Sequence, residues 1–280
     1  MQENHNLKTH SAEMQDVATA FLLGRDKIFL DIGASSAVLG NNTYLLEKEL
    51  GWKGLCFDLR EEGTGVSATT FTNEGGTYEE RGVELHNVDC TTPAFLNILK
   101  ENSFPQILDY VSMDVDAASI PALLNLVETG GYIFKFLTYE HDFHYSRNHE
   151  FALSRAEGIP QGKLNKETEV YESGVDHLWT QPFSKEGVDA RKYRAKDMLQ
   201  AKGYFLLFED VSFETGGSIH PMEDWWINPQ YFPEFVTTIS GKGLHFIDCV
   251  KRIISVSPYL HNNETFQLIE KACVKETECC

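Results

Sequence analysis

Carboxylates recur at the ends of successive apolar, β-rich runs. Asp31 closes KIFLDIG (27 to 33), Asp58 closes KGLCFDL (53 to 59), Asp89 closes VELHNVD (83 to 89), and Asp114 with Asp116 ends ILDYVSMDV (107 to 115). A carboxylate can accept from both hydroxyls of a ribose, or face an amine, a sulfonium or an adenine amino group. A single Asp in such a place is read as a turn or helix cap. The same residue type at successive strand ends reads as a ligand rim. A second group stands in YEHDFH (139 to 144), where Glu140 and Asp142 flank His141. Oxygen donors of this kind suit Mg, Mn or Ca, and an imidazole is a common general base. Asp114, Asp116, Glu140 and Asp142 are therefore the candidate metal ligands, and His141 is the candidate base, with Asp114 and Glu140 beside it.

The elements that must position these residues follow from the pattern. Four buried strands end at the carboxylates named above, and a fifth, YIFKFLTYEH (132 to 141), carries the second group. Helices alternate with them: TYLLEKEL (43 to 50) with Asn41, Asn42 or Thr43 as cap, one from about Pro93, and one capped by Ser119 and stopped at Gly130 and Gly131. Such alternation implies right-handed crossovers and a parallel sheet covered on both faces, a doubly wound α/β fold. Residues 142 to 188 break the pattern as a long insertion, which inside a compact domain reads as a lid, a binding loop or a disordered excursion. A helix (189 to 204), a strand (204 to 213) and a short last strand near 223 to 228 complete the domain. The organisation expected is a helical lead-in (1 to 26), a core domain (27 to 228) and a helical C-terminal extension with a frayed tail (229 to 280).

In an open parallel sheet the first strand-to-helix turn does most of the ligand binding. That turn is DIGASSAVLGNN (31 to 42), in which Gly33 permits close backbone approach. The dinucleotide fingerprint is absent: Ser35 stands where the second glycine belongs, and the next glycine is Gly40. This counts against a nicotinamide-dependent oxidoreductase. A ligand with a ribose, an amine and a positive charge suits the rim better, and S-adenosylmethionine has all three.

Composition sets the partners. A formal net charge of -18 argues against nucleic acid and anionic membranes, which attract Lys and Arg. Neither a signal-peptide core nor a membrane-length apolar run is present, so a cytoplasmic protein is expected. The six cysteines lack a disulfide-like spacing and are read as reduced thiols, the CVKETECC end (273 to 280) included. DWW (224 to 226) reads first as core and second as a stacking platform for a sugar, and RKYRAK (191 to 196) as a solvated helix face.

Several stretches together resemble the FkbM-type S-adenosylmethionine-dependent methyltransferases. FLDIGASSAVLGNNTYLLEKELGWKGLCFDL is similar to the start of that family, LDYVSMDVDAA and FLTYEHDF to its fourth and fifth strands, and ARKYRAKDMLQAKGYFLLFEDVSF with MEDWWINPQYF to its close. Asp58-Leu59 stands where the family has Glu-Pro, Asp116-Ala117 where it has Glu-Gly, and Ser35-Ser36 where it has Asn-Asp. The resemblance implies a Rossmann-like, mostly parallel seven-stranded sheet of the class I methyltransferase type. It also implies cofactor contacts at Asp31, Gly33, Ala34, Ser35, Asp58 and Asp89, with Asn42 and Asp114 added to them.

The activity expected is O-methylation of a sugar, glycan or other small molecule, by in-line displacement with a general base and a possible divalent cation, Mg or Mn. The main alternative is a non-catalytic S-adenosylmethionine-binding protein. The acceptor and the oligomeric state are not legible.

Overall fold

The computed structural model describes residues 8–59, 77–115, 118–141, 164–165, 170–171, 185–215, 218–260 and 263–273. The strands are β1 (Ile28–Ile32), β2 (Lys53–Asp58), β3 (Leu85–Asn87), β4 (Ile107–Met113), β5 (Ile133–Glu140), β6 (Leu164–Asn165), β7 (Val170–Tyr171), β8 (Phe205–Thr215), β9 (Ser218–Ile227) and β10 (Gly241–Lys242). The helices are α1 (Gln15–Leu23), α2 (Tyr44–Leu50), α3 (Tyr78–Arg81), α4 (Pro93–Glu101), α5 (Ser119–Leu124), α6 (Lys185–Ala201), α7 (Phe246–Ser255) and α8 (Asn263–Cys273).

Eight strands form one mixed, mostly parallel sheet in the order β10-β8-β9-β5-β4-β1-β2-β3, and β6 pairs with β7 apart from it. The order reverses between β1 and β4, which run parallel to each other. Only β9 is antiparallel to its neighbours β5 and β8. The expected doubly wound, Rossmann-like sheet is therefore present, with the two-residue β10 as an eighth strand beyond the seven read from sequence. The last hairpin is longer than expected, because β9 begins at Ser218 rather than near 223.

Alternation along the strands sends successive side chains to opposite faces. Phe29, Cys56, Tyr110, Phe136 and Trp225 pack against α1, α2, α7 and α8 on one face. Leu30, Phe57, Val111, Leu137 and Trp226 pack against α4, α5 and α6 on the other. Trp225 and Trp226 are both fully buried, which settles DWW as core. The C-terminal helices lie on the same core as the N-terminal one: Ser257 Oγ donates to Phe21 O at 2.6 Å and Tyr259 Oη to Leu23 O at 2.6 Å.

Local chemistry sets the element ends. Asn41 Oδ1 accepts from the amides of Thr43 and Tyr44, each at 2.9 Å, so Asn41 rather than Thr43 caps α2. Thr77 and Glu80 form a reciprocal capping box at α3. Ser119 does not cap α5; the cap position is Ala118, and α5 runs on into a π-helical turn (Asn125–Thr129). Within that turn Asn125 donates to the carbonyls of Cys90 and Thr92 at 2.9 and 2.8 Å, tying α5 to the start of α4.

Candidate active site

The β1–α2 turn is held open by a buried polar frame. Gly33 has φ +89°, and a Cβ there would lie 1.6 Å from the carbonyl oxygen of Asp114, so the two strand ends touch through bare backbone. Only glycine satisfies both conditions. The amides of Gly33 and Ala34 both donate to Phe57 O, at 2.8 and 3.0 Å, which fixes the turn against β2. Ser35 follows with φ +43°. Asn41 Nδ2 donates to Ala34 O and Ser36 O at 2.9 and 3.0 Å, and Tyr78 Oη donates to Ala34 O at 2.9 Å.

Asp31 belongs to this frame. It is buried, and Thr43 Oγ1 donates to its Oδ2 at 2.8 Å. Arg81 Nη2 donates in turn to Thr43 Oγ1 at 2.6 Å, while Arg81 Nε pairs with Glu47 Oε2 at 2.6 Å and Nη1 reaches Ala37 O at 3.3 Å. The Arg81 guanidinium also lies 5.4 Å from the ring centroid of Tyr78. Burial pushes the Asp31 carboxyl above its ordinary range, against the opposing pull of Arg81, Thr43, Ser112 and Asn41. Asn42 is also structural, donating to Ser112 Oγ on β4 at 2.9 Å.

Around the turn stand the other strand-end carboxylates. Asp58 is half-buried at the end of β2. Asp89 is half-buried as well, and its Oδ1 accepts from the amide and hydroxyl of Thr91 at 2.8 and 2.7 Å. Asp58 and Asp89 converge on Cys90, whose thiol is pushed up first by burial and then by these two charges. Asp114 is exposed, with its amide on Ile32 O at 2.8 Å. Glu140 is half-buried and sits opposite Glu223 in the β5–β9 register.

The N-terminal lead-in supplies groups that sequence reasoning missed. Glu13, just before α1, accepts from Gln15 Nε2 at 3.1 Å, and Gln15 Oε1 accepts from the Glu13 amide at 3.0 Å. Trp225 Nε1 donates to Glu223 Oε1 at 2.6 Å. Glu13 is pushed up to about 7, chiefly by burial and further by Asp114. Burial, then Glu13, then Asp114 raise Glu223 well above the usual carboxyl range, against the hydrogen bond of Trp225. The sequence signal for this group was slight: one Glu before a helix and one in a strand beside DWW.

His141 lies elsewhere. Its side chain is fully buried, with Nε2 3.3 Å from Asp224 Oδ1 and 3.9 Å from Asp210 Oδ1. Asp210 holds a left-handed conformation (φ 58°), and its amide donates to Asp224 Oδ1 at 2.8 Å. Lys192, from the basic run read as a solvated face, is buried and ion-paired with Asp210. His141 thus joins Asp210, Asp224 and, through Asp210, Lys192 of α6 in a buried network.

Of the expected metal ligands, Asp114 and Glu140 are described, whereas Asp116 and Asp142 lie outside the described residues. The His141, Asp210 and Asp224 ligand atoms do come within 4.8 Å of one another. The Lys192 ammonium already neutralises Asp210 there, and Lys242 Nζ stands 3.7 Å from its other oxygen, so this set does not fit a resident divalent cation.

No protein-family model matches the chain. No curated protein matches it either. A solved structure similar to it is the O-methyltransferase from Bacillus cereus in complex with SAH, at 13% identity and a TM-score of 0.44, covering 80% of this chain and 84% of that one. Among the described residues, no helix is long and apolar enough to cross a membrane.

Proposed function

We propose that this protein is an S-adenosylmethionine-dependent methyltransferase acting on a hydroxyl of a sugar, glycan or other small molecule. The observation that carries the reading is the bare-backbone contact between Gly33 and Asp114 at the point where strand order reverses. An open α/β sheet takes its ligand at that crevice. The half-buried Asp58 at the end of β2, with Asp89 acting on the same Cys90, supports a carboxylate that accepts from the two ribose hydroxyls. Gly33, Ala34 and Ser35 form the wall of the crevice, while Asp31 and Asn42 hold that wall from behind.

The cofactor, when bound, supplies an electrophilic methyl group. The chain's part is to hold the acceptor oxygen in line with it, exclude water and take up the hydroxyl proton. The charge of the rim supports an acceptor without negative charge, because Asp114 and Glu140 lie at that end of the sheet. The reading is tested by incubating the protein with methyl-labelled S-adenosylmethionine and a panel of sugars and small alcohols. Label in a methyl ether is expected. Cofactor binding with no transfer to any acceptor class would leave the protein a binder and not an enzyme.

A further inference from the structure

We infer that residues 8–14 form a strap that closes one side of the nucleoside crevice, and that Asp16 is the residue that positions it. The inference rests on the methyltransferase reading above. Chain direction puts the strap at the crevice, and its hydrogen bonds make it a unit that opens by itself.

α1 ends at Gly24, whose carbonyl accepts from Trp52 Nε1 at 2.9 Å. Trp52 immediately precedes β2, so the end of α1 lies at the amino edge of the sheet. Nine helical residues at about 1.5 Å each carry its start back by about 13 Å. The five residues of β1 cover about 16 Å in the same direction. The start of α1 therefore stands near the carboxyl edge, where the β1–α2 turn lies.

The strap reaches that edge along α2. Lys8 Nζ lies 3.0 Å from Glu49 Oε1 near the end of α2, and the His10 ring centroid lies 4.6 Å from that of Tyr44, its first residue. Tyr44 is the neighbour that matters. Its amide donates to Asn41 Oδ1, and Asn41 Nδ2 holds the carbonyls of Ala34 and Ser36 in the crevice wall. Residues 11–14 then turn into α1, with Met14 in the left-handed conformation and buried in the core that also takes in Ala34.

Asp16 gathers the strap. Its carboxylate is fully buried; Oδ1 accepts from the hydroxyls of Thr9 and Ser11 at 2.6 and 2.8 Å, and Oδ2 from the amides of His10 and Ser11 at 2.8 and 3.4 Å. The Lys8 amide donates to Cys273 O of α8 at 2.6 Å. Among the described residues, Thr9 to Glu13 otherwise hydrogen-bond only to one another, to Asp16 and to Gln15. No sheet ladder ties these residues down, so the strap opens at less cost than the domain unfolds. A nucleoside that binds the closed form more tightly shifts it toward closure by the ratio of its two affinities.

Two measurements on the full chain test this. Hydrogen exchange of the His10 and Ser11 amides should slow by about tenfold at saturating S-adenosylhomocysteine. In calorimetry, Asp16→Asn, which turns one accepting oxygen into a donor, should bind that nucleoside about tenfold more weakly, with the same amides fast in the free variant. Linkage requires the two factors to agree. His10→Ala leaves the Asp16 hydrogen bonds in place and guards against a folding defect in the first variant. Its affinity should fall by about threefold, the scale of one aromatic pair, with an unchanged melting midpoint. Exchange that is equal with and without bound nucleoside, or wild-type affinity in both variants, overturns the inference alone. A folded wild type that binds no nucleoside overturns the methyltransferase reading, and the coupling of the strap falls with it.

Discussion

Replacing Arg81 by Met tests whether the β1–α2 turn is held by a buried charged frame or merely decorated by one. Arg81 has a fully buried side chain with donors on Glu47, Thr43 and Ala37. Removing one partner of a buried pair costs about 3–5 kcal/mol, because the other charge is left uncompensated. Glu47 keeps slight exposure and retains Lys48 Nζ at 3.4 Å, which favours the low end, about 3 kcal/mol. Urea unfolding of the wild type, Arg81→Met, Glu47→Gln and the double variant gives the pair's coupling, expected at about 1–3 kcal/mol. Because Arg81 reaches Asp31 only through Thr43, Thr43→Val should loosen the turn with the ion pair intact. A loss below about 1 kcal/mol for Arg81→Met, the scale of an exposed pair, would refute the frame.

Other outcomes follow from the same geometry. Gly33→Ala places a Cβ 1.6 Å from Asp114 O at φ +89°; a loss above the about 1–3 kcal/mol of the backbone angle alone and loss of nucleoside binding are expected, read by thermal melting and calorimetry. The raised Glu13 carboxyl means that the folded state binds more protons than the unfolded state between the ordinary glutamate value of 4.5 and about 7. Stability from this residue is therefore full below that window and falls as pH rises through it, by about 3 kcal/mol at most. Glu13→Gln should flatten that slope in urea titrations at acid and alkaline pH. His141→Ala should lower stability by about 2 kcal/mol while changing S-adenosylhomocysteine affinity less than about threefold, since the ring lies in the network beneath α6.

Strand ends were legible because buried parallel strands read as apolar runs and each stops at a polar residue. That reading found Asp31, Asp58, Asp89 and Asp114 at the carboxyl edge, and Gly33 in the turn between β1 and α2. It could not say which carboxylates face a ligand. Asp31 turns inward to Thr43, a choice made by Arg81 from α3, some fifty residues further along the chain. The direction of His141 was equally hidden, since a one-residue step along β5 changes the sheet face. Glu140 and His141 are adjacent in sequence and part company in space. Glu223 comes opposite Glu140 only through the return of β9 beside β5. The basic run 191 to 196 illustrates the same point: Lys192 is buried because Asp210 waits beneath α6.

The most direct measurement is calorimetric titration of the purified chain with S-adenosylhomocysteine, with Asp58→Ala and Gly33→Ala as controls. The account predicts micromolar binding in the wild type that both substitutions abolish in folded protein. Absence of binding by a folded wild type, or binding that survives both substitutions, would contradict the assignment of the β1–α2 crevice as the cofactor seat.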